Sequence, residues 1–214
     1  MARAGVYDRK VFCIGRNKTG TTTMEMVFKI YHFRPGPQTE AETLLHAHDE
    51  DASPALWDWI GRWEAFQDAP FSMTWFLPEL VRRHPDALYI HTVRDPEEWY
   101  ASIVNHHFSR IGLPHDAPRA EVARALAALP DIAPGHMDRK NRRQFGIVSD
   151  EQLYDRDLYI ANLHAHDALA RELIPPERRL EIDVSQHPTT AAICAFLGIP
   201  EDLAVPMPRS NRRR

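Results

Sequence analysis

The chain has 214 residues, 43% hydrophobic and 26% charged, with a formal net charge of −4 at pH 7. That balance suits one globular domain over residues 1–214 and argues against a general nucleic-acid binder, though it leaves room for a local basic cleft. No run of eighteen apolar residues occurs, the first eight residues lack the apolar core of a signal peptide, and there are only two cysteines; a cytoplasmic protein without membrane span or disulfide framework is expected.

Val11-Phe12-Cys13-Ile14 reads as a buried strand, and Met24, Val27, Phe28 and Tyr31 recur at the i, i+3, i+4, i+7 spacing of a helix. Arg34-Pro35-Gly36-Pro37 breaks that pattern, and residues 38–65 mix helix and loop. Glu64–Asp68 is expected to form a short strand ending before Pro70, and Trp75–Val81 a helix with Pro78 near its first turn. Residues 87–93 form the next expected strand. A helix then runs from Pro96 to about Phe108, with Asp95 as N-cap and Glu98 completing a capping-box-like pair. Within residues 109–149, a variable insert, the pattern predicts a short Ala-rich helix near 120–129 and then a loop carrying Arg139-Lys140-Asn141-Arg142-Arg143. This basic run reads either as a lid over an anion or as a solvated loop. A long helix is predicted over Asp150–Leu173, a strand over Arg179–Val184, and a helix over Thr189–Leu197 with Gly198 just past its end. Alternating β and α units predict a parallel sheet with helices on both faces. Cys13 and Cys194 read as small buried hydrophobes.

Between the first strand and first helix lies Gly15-Arg16-Asn17-Lys18-Thr19-Gly20-Thr21-Thr22-Thr23. A strand, a glycine loop and a helix N-terminus direct free N–H groups and the positive helix end at one small volume, an anion site. The threonine hydroxyls add donors and Lys18 a mobile charge. The lysine lies before the second glycine rather than after it, unlike a Walker A loop. A second site candidate is Arg94, at the carboxyl end of a strand where open α/β sheets bind ligands. Ser102 follows on the helix face shared with Asp95, close to two turns beyond the cap.

Lys18-Thr19-Gly20-Thr21-Thr22, Arg94 with Ser102 eight positions on, Thr92-Val93-Arg94-Asp95-Pro96-Glu97-Glu98-Trp99-Tyr100-Ala101-Ser102, Phe196-Leu197-Gly198-Ile199-Pro200 and Pro208-Arg209-Ser210-Asn211 together resemble the bacterial branch of the sulfotransferases that use 3′-phosphoadenosine 5′-phosphosulfate (PAPS). The resemblance covers roughly residues 10–105 and 150–211. It implies a three-layer α/β/α, P-loop-like nucleotide-binding fold and transfer of a sulfuryl group to a hydroxyl or amine of a small-molecule acceptor, leaving PAP, with no metal required. The implied donor-binding set is Arg16, Asn17, Lys18, Thr19, Gly20, Thr21, Thr22, Thr23, Arg94, Ser102 and Arg209. Lys18 is the candidate for charge on the leaving oxygen. The general base falls between the two phosphate motifs, where Asp68 stands; capping of the following helix is its alternative role, and His46, His48 and His106 are alternative bases. Thr23 stands where the family often has an adenine-stacking tryptophan. His46-Ala47-His48-Asp49 and His164-Ala165-His166-Asp167 suggest a metal, but in helix or loop their side chains diverge, and they are read as surface polarity. Two other readings are a nucleotide kinase with a variant phosphate loop, its magnesium held by Asp68 or Asp183, and a non-catalytic nucleotide-binding protein.

Overall fold

Alternation along the first strand decides the layering. Val11 and Cys13 of β1 (Val11–Cys13) pack to one side of the sheet and Phe12 to the other, each into its own apolar cluster. A strand with two apolar faces must be covered on both. In the computed structural model, which describes residues 9–47 and 52–209, β1 lies inside a four-stranded parallel sheet. The other strands are β2 (Ala65–Phe66), β3 (Leu88–Thr92) and β4 (Arg179–Ile182), in the order β2-β1-β3-β4. Phe12 pairs in register with Phe66 and Tyr89 and stacks on both, at ring distances of 4.7 and 5.7 Å. This aromatic row across three strands holds the register.

Helices α1 (Thr21–Ile30) and α9 (Ala191–Leu197) cover the Val11/Cys13 face, while α2 (Gln38–His46), α3 (Pro54–Gly61) and α4 (Leu77–Arg83) cover the Phe12 face. The result is a three-layer α/β/α arrangement. A third apolar cluster joins α5 (Pro96–Ile111), α6 (Arg119–Ala128), α7 (His136–Phe145) and α8 (Arg156–Leu173). Its centre is Trp99, fully buried, beside Phe145 stacked on Tyr159 at 3.9 Å. Among the described residues no helix is long and apolar enough to cross a membrane.

The insert differs from expectation. The basic run lies on a helix, α7, not in a loop. Its inward positions, His136, Met137, Asn141, Gln144 and Phe145, keep helical spacing, but three of the five are polar, so only two apolar residues mark the inward face. Gly135 and Gly146, which resemble loop punctuation, flank the helix at φ 74° and 66° in the left-handed region. The long helix also starts later than expected, at Arg156, where the Asp155 carboxylate accepts from Leu158 N–H at 2.8 Å. Residues Asp150–Gln152 form a separate 3-10 turn. The capping box at Asp95 is half made. Asp95 Oδ1 accepts from the N–H groups of Glu97 and Glu98 at 3.0 Å, but the Glu98 carboxylate turns to Arg94 at 3.3 Å. An adjacent guanidinium outcompetes a backbone N–H for a carboxylate.

Gly15 joins the end of β1 to the phosphate-type loop. A Cβ there would fall well inside van der Waals contact of the Thr92 hydroxyl and carbonyl oxygens, and 2.8 Å from Thr19 Oγ1. Because one obstacle is backbone, Gly15→Ala is expected to cost about 1–3 kcal/mol, the usual penalty of overpacking. A urea midpoint equal to wild type would contradict that packing.

Candidate functional site

In a parallel sheet every strand delivers its carboxyl end to the same edge, so four loops meet there. The loop after β1 brings Asn17–Thr23, that after β2 Asp68, that after β3 Arg94, and that after β4 Asp183 and Val184. They border a cleft of about 1490 Å³, completed by one face of α5 with Ser102 and His106, and by Met207–Arg209. Asn17, Lys18, Thr19, Gly20, Thr21, Thr22, Thr23, Arg94, Ser102, Arg209 and Asp68 all line it. Arg209 is exposed, and Ser210, Asn211 and His48 lie outside the described residues.

The loop is anchored from behind. Thr19 donates its N–H to Arg16 C=O at 3.1 Å and its hydroxyl to the same oxygen at 2.6 Å, and its Oγ1 meets Thr92 Oγ1 at 2.7 Å. Lys18 sits at φ 70° and Gly20 at φ 111°, two left-handed residues that turn the chain into α1. α1 has no side-chain cap and no acidic residue in its first turn. Its counterpart α5 has Asp95 as cap and Glu97 and Glu98 in the first turn. The positive end of α5 is therefore offset by its own first turn, and that of α1 is not.

Arg16 departs from expectation. Its side chain is fully buried and turned away from the cleft, donating to Thr74 Oγ1 at 2.8 Å, Ser72 C=O at 3.4 Å and the Asn162 side chain, with its guanidinium 5.6 Å from the Phe145 ring centre. Burial pushes its pKa down to about 9, partly opposed by Asp167. A guanidinium so enclosed supports the loop and does not line the cleft. His166 is likewise not surface polarity: it is fully buried under β1, with Nε2 2.7 Å from Ile14 C=O and Nδ1 3.2 Å from Thr74 Oγ1. Among the described residues no three His, Cys, Asp or Glu side chains gather as a metal site would.

Arg94 donates from Nη1 to Lys18 C=O at 3.4 Å, so the two cations are held as neighbours. Burial lowers the pKa of Lys18, Asp68 opposes that shift and Arg94 adds to it. Asp68, at φ 60°, does not cap a helix. Its Oδ1 accepts from the next residue's N–H at 2.9 Å and its Oδ2 from Thr21 Oγ1 at 3.3 Å, and the next helix begins only at Leu77. Burial raises its pKa, Lys140 opposes this and Glu42 reinforces it. Of the alternative bases, His106 borders the cleft and burial beside Lys18 pushes its pKa down to about 4. His46 turns instead to Arg139, at 3.0 Å.

Several cleft residues gave no signal in the sequence: Gln38 and Glu42 on α2, Asn105 and Arg110 on α5, and Asp131. Lys140 alone of the basic run faces the cleft, bonded to Glu42 Oε1 at 2.9 Å. Arg142 pairs with Asp138 and Asp150, and Arg143 lies over Trp75. Glu42 and Lys140 stand 98 residues apart, beyond any local pattern. The model of a family described as a sulfotransferase domain matches residues 10–214, and no curated protein matches the chain.

Proposed function

The chain belongs to the sulfotransferase domain family, and from that premise we propose that, as a single catalytic unit, it moves a sulfuryl group from PAPS to a hydroxyl or amine of a small-molecule acceptor. The observation that carries the reading is the pairing, at one sheet edge, of an uncapped helix N-terminus with two cations, Lys18 and Arg94, bonded through Lys18 C=O. The donor is a dianionic phosphosulfate at one end and a phosphate at the other, and the cleft has positive groups for both. The loop N–H groups, Lys18 and the hydroxyls of Thr21 and Thr22 take the phosphosulfate. Arg94, Ser102 and Arg209 take the 3′-phosphate. With Thr23 in place of a stacking ring, Val184, Met207 and Pro208, which also line the cleft, give the adenine its apolar surface.

The donor supplies an activated sulfur. Asp68 accepts the proton of the acceptor O–H or N–H as that atom bonds to sulfur and the bond from sulfur to the phosphate oxygen breaks. Lys18 offsets the charge that grows on the departing oxygen. Asp68 is suited to the first role because its raised pKa brings its basicity nearer to neutral pH than an ordinary aspartate's. His106 is a much weaker base than an ordinary imidazole, its pKa having been pushed down to about 4.

Asp68 and Asp183 both border the cleft, as a magnesium-dependent kinase would require, so the test pits two nucleotides against each other. Saturating PAP without magnesium should raise Tm, by mass action on the native state, and ATP with magnesium should raise it less, because ATP lacks a 3′-phosphate. The reverse order would reject the sulfotransferase reading in favour of the kinase; no shift with either would leave a protein that binds neither.

A further inference from the structure

Around Asp68 the cleft wall is made of hydrogen-bonding groups. Glu42 and Lys140 form an ion pair at 2.9 Å with side chains only 13% and 18% exposed, and their charges reach the Asp68 carboxyl. Asp131 is paired with Arg110 at 3.3 Å on the same wall. Met137 is the apolar residue of this part, itself 3% exposed. Each pair is internally neutral, so neither adds net charge to this part of the wall.

A nearly buried ion pair is a poor source of stability, since desolvation offsets its attraction. Placed on a cleft wall, however, Glu42 and Lys140 present an acceptor and a donor side by side. A hydroxyl is both donor and acceptor, so adjacent hydroxyls of one molecule satisfy both members together. An aromatic or alkyl acceptor would strip water from the pair and return no hydrogen bond.

Resting on the sulfotransferase reading above, we propose that the acceptor is a neutral polyhydroxylated molecule, with one hydroxyl presented to Asp68 and its neighbours held by the Glu42–Lys140 pair. The class is sugar-like or cyclitol-like, neither phenolic nor long-chain aliphatic.

The test supplies labelled PAPS with methyl glucoside, myo-inositol, 4-nitrophenol, phenethylamine or 1-hexanol. At least one polyol should exceed the other three in kcat/KM by about tenfold or more, the scale set by leaving a charged pair unsatisfied. Glu42→Gln, and the double variant Glu42→Gln with Lys140→Met in case one unpaired charge disturbs folding, should each raise the polyol KM by about tenfold while PAP affinity stays within about twofold. Preference for the phenol, amine or hexanol, no turnover of either polyol, or an unchanged polyol KM in both variants would overturn the inference. PAP affinity separates the failures: if wild type binds PAP and turns over no polyol, only the acceptor assignment falls; if it does not bind PAP, the donor assignment falls with it.

Discussion

Asp68→Asn is expected to lower kcat by roughly 10²–10⁴-fold, the range for a lost general base, with PAP affinity nearly unchanged. Asparagine keeps the shape, still accepts the Ala69 N–H through its side-chain oxygen, and tolerates the left-handed backbone at φ 60°. Only the basicity goes. The pH profile gives an independent check. Burial raises the Asp68 pKa, so the acid limb of kcat/KM should lie above the ordinary aspartate range, with activity appearing as pH rises through the folded-state pKa and the carboxylate forms. Linkage has the opposite sign for stability. A carboxyl whose folded pKa is raised contributes stability that is complete below its unfolded pKa and lost as pH rises through the folded pKa. At neutral pH the wild-type carboxylate is therefore a burden, and the asparagine variant should melt no lower than wild type. An asparagine variant that turns over at the wild-type rate would reject the base and move the search to His106.

Lys18→Ala and Arg94→Ala are expected to fail differently. Lys18 faces charge that develops only as the donor's bond to sulfur breaks, so its loss should lower kcat by about 10²–10³-fold, as removal of a positioned transition-state partner does. Arg94 contacts a phosphate present in ground and transition states alike, so Arg94→Ala should weaken PAP binding by about 10–100-fold, the worth of hydrogen bonds to a charged group. Part of that loss would pass through the loop, because Arg94 also donates to Lys18 C=O. Arg94→Lys retains the charge without the planar fork and should recover only a fraction of the affinity. Isothermal titration with PAP and single-turnover rates distinguish the two effects. If both alanine variants bind PAP as wild type does, the donor assignment is wrong.

The parts of the site that could be read beforehand are those built from neighbours in the chain. The glycine loop, its lysine and the helix that follows lie within residues 15–30, and Arg94 and Ser102 share one strand–helix junction, so spacing alone carries their geometry. The parallel sheet was legible for a similar reason, since strand and helix periods alternate. Asp68 could be placed at the end of a short strand, but its alternative as a helix cap was set aside only by the structure, which turns its carboxylate to Thr21 and Ala69. The α7 helix was missed because polar side chains stand at three of its five inward positions.

Backbone conformation and the edge on which the loops gather follow from local sequence: strand alternation, a glycine at φ 111°, a proline after an N-cap aspartate. The direction each charged side chain takes does not. Arg16 sits in the same loop as Lys18, yet one guanidinium turns inward to partners 58 and 146 residues away and one ammonium faces the cleft. Lys140 belongs to a run of similar cations and is set apart only by Glu42, 98 residues earlier. Burying a charge is costly unless a partner meets it, and those partners arrive from remote segments only once the helices have packed. The sequence by itself thus places the glycine loop and the helix N-terminus at one sheet edge, and the tertiary structure decides which cations and which other polar groups line the cleft there.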